Sequence, residues 1–329
     1  MYNLKKLQED KARVAQQYRS VDELREDFKK ITANMKTDVQ VLAELVEELK
    51  SGNIGHGRLL VVLEDIEYYS HQIDNGVELV KMEAIPILLK FANESSSADG
   101  VADAALLSLG SAMQNNLVVQ QEVLAKGGLG VIYNILNSNS PTSFSTIHSR
   151  ALYALSALLR RNSPAQEKFA ASGGFSLLRR LFPDLNEKLS VKVVSLVGDL
   201  VAESDEDDSN FKTKDFVIEG DWCSLAARLF TSNQHNTREK AIRFITQIVE
   251  DCKARFDTGP LQKTLQILLS EYGQLAEGEN KLRESHTVAL DENNHDTSAD
   301  TGEDDYFNRM FNSVHLLLAK FESTTNDEL

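Results

Sequence analysis

The chain has 329 residues, more than one ordinary hydrophobic core organises, so it holds either two domains or one extended repeat. Fifty acidic residues against 35 basic ones leave a net charge of -15, which argues against a nucleic-acid partner, whose phosphates must be neutralised by Lys and Arg. Hydrophobic residues at 42% and charged residues at 26% exclude global disorder, no apolar run is long enough to span a membrane, and Met1 to Lys30 carries no signal-type stretch.

The composition, rich in Leu, Ala, Glu, Lys and Gln with five prolines, predicts an all-α fold. Val21, Leu24, Phe28, Ile31 and Met35, then Leu42, Leu45, Val46 and Leu49, recur at helical spacing, so residues 1–57 are predicted to form an N-terminal helical cap that ends in the glycine-rich break Ser51 to Gly57. Residues 58–255 are then predicted to hold about four repeats. Gly127 to Gly173 is 46 residues and Gly173 to Gly220 is 47, while Ala105 to Ala151 and Asn116 to Asn162 are each 46. One period reads as three helices, Asn116 to Lys126, Leu129 to Leu136 and Ser145 to Arg160. Gly127 and Gly128 supply the left-handed turn between the first two. Glu83-Ala84 stands in the place of the glycine pair in the first period and Gly220-Asp221 in the last. The apolar face Ile147, Ala151, Leu152, Leu155, Leu158 and Leu159 needs neighbours to cover it, which no single unit supplies.

After the repeats, Leu261, Leu265, Leu268, Tyr272 and Leu275 mark a C-terminal cap over 256–290. Residues 291–305 form an acidic tract expected to be a flexible linker. An amphipathic helix over 306–322 is expected to fold back on the last repeat, and 323–329 is a tail. A second acidic run, Glu203 to Asp208, reads as a solvated loop.

Stacked helical triplets of this length predict an armadillo-like superhelix whose third helices line a groove suited to binding proteins. The Trp and Asn ladder that clamps basic peptides in some such grooves is absent. The aligned positions are Leu107 and Ser111, Tyr153 and Ala157, Leu196 and Leu200, and Arg243 and Gln247. No motif for an enzyme appears, no cofactor or metal is expected, and Gly127-Gly128-Leu129-Gly130 lacks the lysine and strand of a phosphate loop. The seven histidines are scattered and read as surface or interface residues, while Cys223 and Cys252 read as buried free thiols.

The run from Asp65 to Asn75 (D-I-E-Y-Y-S-H-Q-I-D-N) resembles the D-L-E-Y-Y-x-H-Q-M-D-N signature of the armadillo-type nucleotide exchange factors for BiP, the heat-shock chaperone of the endoplasmic-reticulum lumen. Leu24-Arg25-Glu26-Asp27-Phe28, Leu158-Leu159-Arg160 and Trp222-Cys223 extend the likeness, which covers nearly all of residues 9 to 320 and is weaker to the cytosolic heat-shock-protein binding protein. The resemblance implies a monomer that embraces one lobe of the chaperone's nucleotide-binding domain, opens its cleft and releases ADP. It also implies a lumenal protein with a leader and an amino-terminal region ahead of the matching part, whereas this chain begins at Met1 within it. Asn326-Asp327-Glu328-Leu329 is similar to the K-D-E-L address read by the retrieval receptor, and Asn93-Glu94-Ser95 is a glycosylation sequon expected in a loop. Helical phase nominates Glu64, Glu67, Tyr68, His71, Asp74 and Asn75 as chaperone-binding residues, with Tyr153, Arg160, Arg161, Arg243 and Gln247 continuing the stripe. Packing and capping compete for some of these, notably Asn75. A cytosolic armadillo adaptor without exchange activity is the alternative, and an enzyme acting without a chaperone is a further one.

Overall fold

The computed structural model describes residues 13, 18–32, 35–94, 100–138, 146–206, 212–252, 258–290 and 305–322, which form helices and, among the described residues, no strand. Among the helices whose bounds are described, the first are α1 (Val21–Thr32), α2 (Asp38–Lys50) and α3 (His56–Ser70). Four triplets follow. They are α4 (Ile73–Lys81), α5 (Ala84–Glu94) and α6 (Val101–Met113); α7 (Leu117–Ala125), α8 (Gly128–Asn137) and α9 (Thr146–Leu159); α10 (Ser163–Ala171), α11 (Gly174–Leu181) and α12 (Glu187–Glu206); and α13 (Thr213–Glu219), α14 (Trp222–Ala227) and α15 (His235–Cys252). Last among the described residues are α16 (Thr258–Leu290) and α17 (Tyr306–Glu322). The first complete triplet starts at Ile73, so α3 stands as a third helix in front of it rather than opening the repeats at residue 58.

Local chemistry sets the helix ends. Thr37 and Gln40 form a reciprocal capping box at α2. Asn116 and Asn162, 46 residues apart, cap α7 and α10 by accepting from the backbone N–H of Val119 (3.4 Å) and Ala165 (3.3 Å). Between the first and second helices of each triplet the chain passes through the left-handed region at Glu83 (φ 55°), Gly127 (82°), Gly173 (74°) and Asp221 (54°). The fourth landmark is thus Asp221, not Gly220, whose φ is -79°. The intervals become 44, 46 and 48 residues. Gly220 serves packing instead: a Cβ there would lie 2.9 Å from Cδ1 of the fully buried Trp222.

The third helices form one continuous layer in which α3, α6, α9, α12 and α15 pack in succession and α17 packs on α15 and α16. α6 shows why the layer closes. Its sequence VADAALLSLGSAM buries residues on almost every side, because Ala, Ser and Gly let α3 and α9 approach closely. Ser108 Oγ donates across to Leu63 O at 2.8 Å. At the far end Tyr272 is fully buried against Phe307 and His235, and Arg238 pairs with Glu271 at 2.7 Å. Met310, Val314, Leu317 and Phe321 bury the inner face of α17.

Several expectations are corrected. Glu203 to Glu206 is the last turn of α12, not a loop, because Glu203 is held by Arg161 N–H (2.7 Å) and Gln166 Nε2 (2.9 Å); Asp207 and Asp208 lie outside the described residues. His148 is buried, and desolvation pushes its imidazole below the ordinary value. Cys223 is disulfide-bonded rather than a free thiol, and the chain has one other cysteine, Cys252. The apolar residues Val21, Leu24 and Phe28 of α1 are exposed rather than part of the core. The tract 291–304 and the tail with Asn326 to Leu329 lie outside the described residues.

Candidate binding groove

Each third helix buries its two flanks and leaves a stripe at i, i+3 or i+4 spacing toward solvent. The stripes carry Glu64, Glu67 and Tyr68 on α3, Leu107 on α6, Tyr153, Ser156 and Arg160 around α9, Lys188, Lys192, Ser195 and Asp199 on α12, and Lys240, Arg243 and Gln247 on α15. Leu196 and Leu200 are fully buried, so the ladder positions assigned to α12 belong one residue earlier, at Ser195 and Asp199.

At the amino-terminal end, Tyr68 is 71% exposed, its ring edge-on to Tyr69 at 5.2 Å. Glu67 Oε1 accepts from Ser111 Oγ at 2.7 Å and lies 2.9 Å from His71 Nε2. The hydroxyls of Ser111 and Tyr153 are 3.2 Å apart, so a polar chain runs across α3, α6 and α9. The Tyr153 ring lies on Gly110, where a Cβ would come within 2.4 Å of two ring carbons. Although Ser111 touches a carboxylate that in turn touches a histidine, it bonds the acid and not the imidazole. That order is not the serine–histidine–acid relay of a hydrolase triad.

The signature run is split by a helix break after Ser70, with Gln72 at the N-cap of α4. Asp74 is exposed in the first turn of α4. Asn75 is 5% exposed and donates to Tyr69 O (2.9 Å) and Asp38 Oδ2 (3.3 Å). It joins α4 to the preceding helices, which corrects its assignment to the binding stripe.

At the carboxyl-terminal end, Asp199 is the hub. Its Oδ2 accepts from Arg160 Nη2 at 2.7 Å and Nε at 3.1 Å, and its Oδ1 accepts from Arg243 Nη2 at 2.5 Å. A hollow of about 230 Å³ between α12 and α15 is lined by Arg160, Ser195, Asp199, Arg243 and Gln247. Gln247 Oε1 is buried there without a hydrogen-bond partner among the described residues, the kind of group a ligand donor would satisfy. Arg161 sits in the turn after α9 with φ 54°, exposed, its backbone N–H on Glu203. Burial raises the Glu203 carboxyl against the lowering effect of those donors.

The structure therefore gathers Glu67, Tyr68, His71 and Tyr153 at one end, with Glu64 one turn away, and Arg160, Arg243 and Gln247 at the other. Gly110 and Asp199 were missed, and Ser111 was found only as a ladder position. Asn93 is exposed in the last turn of α5 rather than in a loop. Among the described residues no group of three or more His, Cys, Asp or Glu can hold a metal ion, and no helix is long and apolar enough to cross a membrane.

Similar proteins share this architecture. A designed armadillo repeat protein for modular peptide recognition superposes with a TM-score of 0.61 at 16% identity, covering 85% of this chain and 99% of its own. An armadillo-repeats-only protein from Plasmodium falciparum gives 0.51 at 12% identity, covering 70% and 99%. Among curated proteins, nucleotide exchange factor SIL1 of Mus musculus is 29% identical over 93% of this chain and 65% of its own length, and that of Xenopus laevis 26% identical over 80% and 60%. The Hsp70 nucleotide exchange factor FES1 of Candida glabrata is 25% identical over 70% and 76%. The chain thus spans roughly three fifths of the SIL1 proteins it matches. The SIL1/FES1/HPBP1 C-terminal domain matches residues 75–322, from the start of the first triplet to the end of α17, and the chain belongs to that family.

Proposed function

We propose that this chain is a nucleotide exchange factor for an Hsp70 chaperone, and that the chaperone is BiP of the endoplasmic-reticulum lumen. The observation that carries the reading is a continuous stripe of polar and aromatic side chains on the third-helix layer, in a chain whose family includes proteins named as exchange factors. Glu64, Glu67, Tyr68, His71 and Tyr153 at one end and Arg160, Arg161, Arg243 and Gln247 toward the other grip the nucleotide-binding domain as a monomer. Asp74 borders the first group.

The energetics follow from linkage. A partner that binds the open cleft better than the closed one lowers nucleotide affinity by the same factor. A tenfold loss of ADP affinity needs about 1.4 kcal/mol of preference for the open state, a small part of what a protein interface supplies. No bond is made or broken by the exchange factor, so none of its residues is assigned a catalytic role.

Residence in the lumen is supported by the disulfide at Cys223, which suits an oxidising compartment, and by the Asn326 to Leu329 tail, which suits the retrieval receptor. Asn93, exposed at the end of α5, is the glycan site of this reading; loss of a mobility shift on endoglycosidase treatment in Asn93→Gln checks it. The decisive experiment is stopped-flow release of labelled ADP from purified BiP. Acceleration by this chain is expected, and an unchanged rate at saturating concentration would reject the proposal.

A further inference from the structure

Three cations stand together on the groove face without a carboxylate partner among the described residues. Lys188 and Lys192 lie one turn apart on the exposed stripe of α12, and Arg150 approaches them from α9. Among the described residues none of the three has a hydrogen bond or ion pair to a carboxylate. The Lys192 ammonium is pushed below the ordinary lysine value, first by desolvation and then by repulsion from Lys188 and Arg150. The neighbouring acid does not relieve them. Glu187 instead accepts from the hydroxyls of Ser232 and Thr237, the latter at 2.7 Å, and those bonds hold its carboxyl below the usual range.

These charges also oppose their helix. Lys188 is in the first turn of α12, where the helix dipole favours an anion, and the three cations repel one another. Their charges therefore do not help the fold. Beside Lys188 and Lys192 opens a hollow of about 440 Å³ that Glu187 also lines, with Gln234 just before α15 and Asn236 in its first turn. A chain of net charge -15 repels acidic partners at long range, so a local cationic patch is what lets one dock in a fixed register.

We propose that Arg150, Lys188 and Lys192 form an electrostatic anchor for a carboxylate-rich surface of the chaperone bound on the third-helix layer, speeding its capture and fixing its register. This rests on the exchange-factor reading and names the chemistry of the partner's contact. The anchor acts on approach, so its signature is in the association rate and its salt dependence rather than in dissociation.

The test measures association of the full chain with BiP at 50, 150 and 300 mM salt for the wild type, for Lys188→Glu/Lys192→Glu and for the length-preserving Lys188→Met/Lys192→Met. Expected are association rates that fall with salt in the wild type, drop about tenfold at 50 mM in the charge reversal and no longer fall with salt in the methionine pair. Both variants are expected to melt no lower than the wild type. Should the charge reversal fail to fold, the methionine pair decides. Unchanged rates and salt slope in a folded variant overturn the anchor while leaving exchange intact. A wild type that does not bind BiP overturns the exchange-factor reading and the anchor together. Wild-type binding to a short DNA duplex at 150 mM salt, lost in both variants, reassigns the patch to polyanions and overturns the proposal.

Discussion

Replacing Gly110 with Ala separates the stability of the stack from the shape of its groove. The added methyl would sit 2.4 Å from Cδ1 and Cε1 of Tyr153, whereas relaxed carbon contacts need about 3.5–4 Å. The ring must therefore retreat by about 1 Å, which pulls its hydroxyl away from Ser111 and breaks the polar chain to Glu67. Overpacking of this kind costs about 1–3 kcal/mol, at the low end here because Tyr153 is only partly buried and can swing outward. Against it, Ala is better than Gly inside a helix by about 1 kcal/mol. The net loss of stability is thus expected to be about 0–2 kcal/mol by urea titration. Binding to the chaperone is expected to weaken by about 1–2 kcal/mol in calorimetry, since a displaced interface aromatic loses its fit. The double variant Gly110→Ala/Tyr153→Ala isolates the cause. With the ring gone, the alanine at 110 should stabilise by about 1 kcal/mol, a reversal of sign. Equal destabilisation in both backgrounds would refute the close approach of ring and glycine.

Tyr68→Ala is expected to change stability by less than about 0.5 kcal/mol, because the ring is exposed, yet to weaken chaperone binding by about 1 kcal/mol or more; parallel melting and calorimetry check both halves. Glu83→Gly removes a side chain from a left-handed conformation and should stabilise by about 0.5–1 kcal/mol in chemical denaturation. Asp199→Ala leaves Arg160 and Arg243 facing each other and should destabilise by about 1 kcal/mol, the effect shrinking at 1 M salt. Glu203, whose folded pKa is raised by burial, binds its proton more tightly in the native state, so its contribution to stability falls as pH rises above the ordinary glutamate value of 4.5. Glu203→Gln should remove that part of the decline in pH-dependent denaturation, and a wild-type profile with the same slope would count against a buried carboxylate.

The repeat was legible in sequence because each landmark answers a local requirement of the backbone. Gly127 and Gly173 mark left-handed turns, and Asn116 and Asn162 mark helix starts, so the helices of the second triplet were placed within a residue or two. The same logic misplaced the last landmark. Asp tolerates the left-handed region well enough to replace Gly, and the glycine beside it answers the bulk of Trp222 instead. A glycine in sequence does not say which of its two properties, free φ or absent Cβ, is in use. Cys223 was misread for a related reason, since pairing depends on a distance between helices that local spacing does not encode.

The groove was only half legible, and the missing half has a simple form. Helical phase finds residues on one stripe, such as Glu64 and Tyr68, but is silent on what crosses between stripes. Those crossings nearly repeat the length of a triplet. Ser108 reaches Leu63 over 45 residues, Ser111 reaches Glu67 over 44 and Tyr153 over 42, Arg160 reaches Asp199 over 39, and Arg243 reaches Asp199 over 44. In a stack, each third helix touches only its neighbours, so a polar side chain on it finds a partner about one repeat away or faces solvent. The interval that reveals the repeats therefore also lists the candidate pairs. Residues such as Lys188 and Lys192, which lie on the stripe and find no opposite charge at that interval, are the ones left available to a partner.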